Sequence, residues 1–105
     1  MLHHIVLLKL KAEVTSEKIE AMMRQTRISL LKIPEALTVK CGRAIDPNSE
    51  WGFFIAIDCE STERLNGCLE DPIYIKYFEE IIKPSIVTLI SLDYEMEPAK
   101  DIRYS

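Results

Sequence analysis

The chain has no clustered basic patch. Its lysines and arginines are scattered, from Lys9, Lys11 and Lys18 through Arg24, Arg27 and Lys32 to Lys40 and Arg43. With a net charge of −4 and a pI near 5.2, no nucleic-acid or polyphosphate surface is expected. Long apolar runs are missing too. The longest uncharged ones, Ile5–Leu8 and Ile86–Leu92, fall far short of the ~20 residues that span a bilayer. The opening MLHHIVLLKLK carries lysines inside its apolar run and lacks a small-residue cleavage site, so it does not read as a signal peptide. Cysteine is sparse and odd in number. Cys41, Cys59 and Cys68 form no C-x-x-C and have no histidine nearby, which fits neither a disulfide framework nor a zinc site. They read as buried thiols in a reducing cytoplasm, with a reactive Cys68 as the minor alternative. There are no repeats, low-complexity segments or linkers.

What is present is globular. A chain of 105 residues, 48% hydrophobic and 29% charged, has room for one core and one domain. We place that domain over 1–98, with a polar tail at 99–105. Residues 3–11 are β-rich and open the chain as a strand. Thr15 or Ser16 then caps a helix, with Glu17 in its first turn. Ile19, Met22, Met23, Thr26, Leu30 and Ile33 follow at helical spacing as one buried stripe, and Pro34 forces the end. Residues 36–45 alternate Leu37, Val39 and Cys41 against Thr38, Lys40 and Gly42, a half-buried strand. Asp46-Pro47-Asn48-Ser49 is a turn by chemistry, and residues 51–60 form an aromatic third strand. Ser61 caps a short helix, and Asp71-Pro72 restarts another with an inner stripe of Ile73, Tyr77, Phe78, Ile81 and Ile82. After Lys83-Pro84, residues 86–96 make the last strand.

The order β-α-β-β-α(α)-β predicts an α+β, ferredoxin-like protomer: a four-stranded antiparallel sheet with its helices on one face. The second face is poorly suited to water. In strand one, His4, Val6, Leu8 and Leu10 oppose Ile5 and Leu7. In strand three, Trp51, Phe53, Ile55 and Ile57 oppose Phe54 and Ala56. In strand four, Ile86, Ile90, Leu92 and Tyr94 oppose Val87 and Leu89. Apolar residues on both faces of three strands predict a homodimer that closes sheet against sheet.

These residues also carry a resemblance. His4-Ile-Val-Leu-Leu-Lys-Leu-Lys11, the capped helix, Gly42-Arg43, Cys59-Glu-Ser61, the D-P-x-Y of 71–74, Lys83-Pro84 and Leu92-Asp93-Tyr94 resemble the stress-responsive A/B-barrel family over about residues 3–96. The resemblance implies a homodimer whose sheets form a central dimeric α/β barrel. One enzymatic type in the family, a plant polyketide cyclase, uses a Tyr and a His as an acid–base pair between sheet and helices, with no metal or cofactor. Matched motif to motif, that Tyr falls on Cys68 and that His on Tyr74. The His opening strand one is kept, as His4. Met22, Met23 and Thr26 match cavity-lining helix positions.

The candidate catalytic residues are therefore His4 and Tyr74. A histidine at strand one suits general acid–base work, since its ordinary titration lies near neutrality; the plainer reading is a hydrogen-bonded strand histidine. Tyr74 suits proton donation, its ordinary pKa of about 10 making it a poor base. Its plainer reading is a buried ring with a surface hydroxyl. Val6, Leu8, Met22, Met23, Thr26, Trp51 and Cys68 are the expected pocket lining. For Met22, Met23 and Thr26 the plainer reading is core filling, and Trp51 reads equally as a stacking platform or a dimer anchor. Asp71 is a helix cap. No cofactor, metal, nucleic acid or membrane is expected. The favoured function is a dimeric barrel protein, non-catalytic or binding a small apolar or aromatic ligand between helices and sheet, because the matched acid–base pair is missing. The alternative is a cofactor-free cyclase, isomerase or monooxygenase using His4 with Tyr74 or Trp51.

Overall fold

A computed structural model of the chain describes residues 1–96; the tail assigned to 99–105 lies outside the described residues. Strand β1 (Leu2–Leu10) leads into helix α1 (Ser16–Leu30), then strands β2 (Thr38–Arg43) and β3 (Phe53–Cys59). Helices α2 (Thr62–Glu70) and α3 (Pro72–Tyr77) follow. One π-helical turn (Phe78–Ile82) and a 3-10 turn (Lys83–Ser85) then deliver the chain to β4 (Ile86–Glu95). The sheet is antiparallel, in the order β2-β3-β1-β4. Its helices cover one face, which is the ferredoxin-like arrangement expected.

The local chemistry explains the boundaries. Thr15 is the α1 cap, its Oγ1 accepting from the Lys18 backbone N–H at 3.1 Å. Ser61 Oγ caps α2 by accepting from the Arg64 N–H at 3.2 Å, and Asp71 Oδ1 caps α3 by accepting from the Ile73 N–H at 2.8 Å. Pro72 occupies the first turn of α3, where no helical N–H is needed. Helix α1 stops at Leu30, one turn before Pro34, and Leu31, Lys32 and Ile33 bond back into its last turn.

The core lies between sheet and helices. Val6, Leu8, Phe53, Ile55 and Ile57 from the strands meet Met22, Leu30, Leu65, Tyr77 and Ile82. Two details differ from the periodicity. A bulge between Lys9 and Leu10 sets Leu10 opposite Ile86. Ile86 and Leu89 therefore face the core, while Ile90, Leu92 and Tyr94 remain on the open face. In α3 and the π turn after it, Ile73 is exposed rather than part of the inner stripe, while Tyr77 and Ile82 are buried.

The uncovered sheet face is apolar through its middle. The cross-strand pairs Ile5↔Ala56, Ile5↔Leu92, Leu7↔Phe54 and Leu7↔Ile90 place these side chains side by side. Gly42 lies under the Phe54 ring, where a Cβ would come within 2.8 Å of Phe54 Cε1. The absent side chain leaves room for that ring over the β2 backbone. Polar groups stand at the two ends, His3, Asp58, Thr38 and Tyr94 at one and Lys9 and Thr88 at the other, and Lys40 stands on the edge strand opposite Ala56.

Candidate functional site

The first five residues of β1 place two histidines back to back, because successive strand side chains point to opposite faces. His4 points toward the helices and is buried. Its Nδ1 bonds to Asp93 Oδ1, from the β4 residue directly opposite. A carboxylate at Nδ1 makes that nitrogen the donor and leaves Nε2 as the acceptor in the neutral ring. No described residue hydrogen-bonds to Nε2.

His4 lies at a pocket of about 240 Å3 lined by Val6, Leu89 and Ser91 of the sheet and by Leu69, Tyr74 and Phe78 of the helical layer. Val6 and Ser91 are cross-strand partners, so the floor follows directly from the β1–β4 register. The wall is aromatic. Tyr74 stacks on Phe78 with centroids 6.4 Å apart at 15° and is tilted against Tyr77 at 6.1 Å and 58°. Burial, together with the charge of the neighbouring Cys68 thiolate form, pushes the Tyr74 phenol up to about 12. At neutral pH that hydroxyl keeps its proton and serves as a donor. Among the described residues no lysine or arginine lines the pocket. The lining suits a small, uncharged, mostly apolar molecule with one polar group, and the volume lies a little below the ~300 Å3 lower end of ordinary ligand pockets.

The structure brings His4, Val6 and Tyr74 together, and the other expected residues fall elsewhere. Leu8 is fully buried between Phe53 and Leu89 in the register of the sheet, inside the core. Met22 is also fully enclosed, and Met23 packs at the edge of the core with its carbonyl accepting from Cys41 Sγ at 3.6 Å. Thr26 is sealed in: its hydroxyl donates to the Met22 carbonyl at 2.7 Å and meets the Tyr77 hydroxyl at 2.5 Å. Cys68 is buried beside Cys59, its thiol pushed up to about 12 by burial and then by the charges of Cys59, Glu35 and Asp71, which is an inert rather than a reactive thiol. Trp51 stands in the turn before β3, its backbone N–H donating to Ser49 Oγ at 3.3 Å, and does not line the pocket. Among the described residues no cluster of His, Cys, Asp or Glu is arranged to hold a metal ion. None of their helices is long and apolar enough to cross a membrane.

The Thr26–Tyr77 pair carries a stability prediction. One proton of Thr26 goes to the Met22 carbonyl, so the Tyr77 hydroxyl must donate to Thr26. Thr26→Val keeps the shape and orphans a buried hydroxyl, an expected loss of about 1–3 kcal/mol in urea unfolding. Adding Tyr77→Phe should recover part of that loss; strictly additive losses would show the two hydroxyls to be uncoupled.

With the pocket in view, the wider likeness has a structural meaning. The family model of the Stress responsive A/B Barrel Domain (Dabb) matches residues 2–96. The chain belongs to this family. Solved structures agree on the fold. A Dabb family protein with a ferredoxin-like fold from Mesorhizobium loti is 16% identical with a TM-score of 0.78, covering 90% of this chain and 95% of that one. A dimeric ferredoxin-like protein of unknown function from Thermobifida fusca is 17% identical with a TM-score of 0.80, covering 90% of each chain. A hydroxynitrile lyase from Passiflora edulis is 15% identical with a TM-score of 0.78, covering 95% of this chain and 96% of that one. No curated protein matches the chain. At such identities these likenesses establish the Dabb fold and leave chemistry to the residues of the pocket.

Four pocket residues were not expected from sequence: Leu69, Phe78, Leu89 and Ser91. Asp93, which orients His4, was missed as well. Its signal was partial: a carboxylate on the same strand face as Leu89 calls for a partner, but β4 carries Glu95 as well.

Proposed function

We propose that this Dabb protein is a homodimer, joined through the open sheet face, that holds a small uncharged ligand in the pocket between His4 and Tyr74. The observation that carries the ligand reading is the pocket itself: an apolar lining, with His4 Nε2 unbonded among the described residues and the Tyr74 hydroxyl held protonated. The dimer reading rests on the apolar middle of the open face, and solved relatives described as dimeric support it. Such a ligand has one flat apolar body to lie against Tyr74 and Phe78, and one polar group to meet His4. Three free cysteines fit a reducing cytoplasm as its location.

The test is a panel of neutral single-ring alcohols, aldehydes and ketones, read by melting temperature and by NMR shifts of pocket methyl groups. Binders are expected to perturb Val6, Leu69 and Leu89 together, and Val6→Phe, which fills the floor, should abolish the perturbation while the fold persists. A panel with no binder, or binders indifferent to Val6→Phe, would sink the ligand reading.

One observation favours a second reading. The Asp93–His4 pair is the arrangement that fixes an imidazole for accepting a proton at Nε2, with Tyr74 across the pocket as donor. On this reading the protein moves a proton on its ligand without a cofactor. Exchange of the ligand's acidic C–H protons into deuterated water should then slow at least tenfold in His4→Ala. An unchanged exchange rate in that variant would leave only binding.

A further inference from the structure

The second histidine of the pair, His3, points to the open face and has its own carboxylate. His3 Nδ1 bonds to Asp58 Oδ1, from the directly opposite residue of β3, while Thr38 Oγ1 of β2 donates to Asp58 Oδ2 at 2.6 Å. This cluster closes one end of the apolar face. Burial pushes the Asp58 carboxyl up, but hydrogen bonds from Thr38 and His3 and the charges of His3 and Lys40 outweigh it and hold the carboxyl below its ordinary range. Asp58 is therefore an anion in the neutral range while the face is open.

We propose that the dimer is proton-linked through His3, the two copies associating more tightly when His3 is charged. This rests on the sheet-to-sheet dimer proposed above. Covering the face takes Asp58 out of water. With His3 neutral, the carboxylate is sealed in with hydrogen-bond donors and only the more distant charge of Lys40; with His3 protonated, it has a cation in direct contact and the buried unit is a compensated pair. The other charged or titratable groups on this face do not reverse the sign. Lys40 is exposed on the edge strand β2, opposite Ala56 rather than Asp58, and two strand spacings from β1, about 9–10 Å. That is near the Debye length in physiological salt, so its repulsion of His3 is largely screened. Tyr94 stands beside His3 on β4 and brings a hydroxyl to this end of the face. Lys9 stands at the opposite end of the same face of β1. Direct contact with Asp58 dominates.

The experiment compares dimer dissociation at pH 6 and pH 8 by dilution anisotropy of the labelled full chain, with urea added to bring dissociation into range. The wild-type dissociation constant is expected to be roughly tenfold lower at pH 6. His3→Gln should make the two values equal. Asp58→Asn should reverse the order, because a charged His3 would then be buried alone. His4→Gln, which removes the histidine of the other face, should keep the wild-type dependence. A wild-type dimer that is equally tight or weaker at pH 6, or a His3→Gln dimer that keeps the dependence, overturns the proposal. A chain that stays monomeric at both pH values refutes instead the dimer on which it rests.

Discussion

Leu7→Asp is expected to leave a folded monomer. Leu7 is in the middle of the open face, between Phe54 and Ile90, and is only half-buried in the protomer. A carboxylate there can reach water when the protomer stands alone. Sealed between two sheets it is a buried charge without a partner, and two copies enter each dimer. Even after relaxation, such a charge costs several kcal/mol. About 4 kcal/mol is a thousandfold in the dissociation constant, enough to empty the dimer at micromolar concentration. Sedimentation equilibrium should therefore report twice 12.1 kDa for the wild type and 12.1 kDa for the variant. Far-UV circular dichroism should be unchanged. Ile28→Asp is the matched control, since Ile28 is 51% exposed on α1 and faces away from the sheet. If Leu7→Asp remains dimeric, the copies do not meet through this face.

That the face exists was legible from alternation alone. Ile5 and Leu7 against Val6 and Leu8, and Phe54 and Ala56 against Phe53 and Ile55, already require two apolar sides. Helix caps at Ser61 and Asp71, and at Thr15 as one of two neighbouring candidates, were legible for a similar reason, since each depends only on a side chain and the backbone two or three residues on. The pocket was legible in part. His4, Val6 and Tyr74 were named from strand alternation and from the family's motif order. Asp93, Ser91 and Leu89 were not, because a strand pattern tells which face a residue takes and says nothing about which residue lies opposite. That partner is fixed by the β1–β4 register and its bulge at Lys9 and Leu10. Phe78 depends on the π turn, a departure from helical period that composition does not announce.

Met22 and Thr26 show the complementary limit. Their helical spacing identifies the buried stripe of α1 correctly, and both are enclosed. Whether a buried stripe borders space or filled volume depends on what arrives from the other side. Here Tyr77 arrives, and its hydroxyl bonds to Thr26. The free volume is displaced to the next gap along the helical layer, between Tyr74, Phe78 and the β1–β4 pair.

Phe53→Ala carries the second large effect, and it concerns what keeps that gap in shape. Phe53 is among the largest fully buried side chains, 1% exposed, and lies in register with Leu8 on β1 and Arg43 on β2. It thus packs the end of the core beyond the pocket, where β2, β3 and β1 run side by side. Truncation to Ala removes an aromatic ring from a site whose neighbours are held by two strand ladders and cannot collapse inward. The expected cost is about 3–5 kcal/mol. A domain of this size is stable by about 5–15 kcal/mol, so the variant should lose a third or more of its margin. Urea unfolding should show a lower midpoint at unchanged slope, the sign of lost stability rather than an altered unfolded state. Any ligand of the His4–Tyr74 pocket should still bind the folded fraction with its wild-type affinity, because Phe53 does not line that pocket. Its addition should then raise the variant's midpoint by the same free energy as the wild type's. A larger rescue by ligand would mean that Phe53 also holds the pocket open, and that the two ends of the core act as one unit.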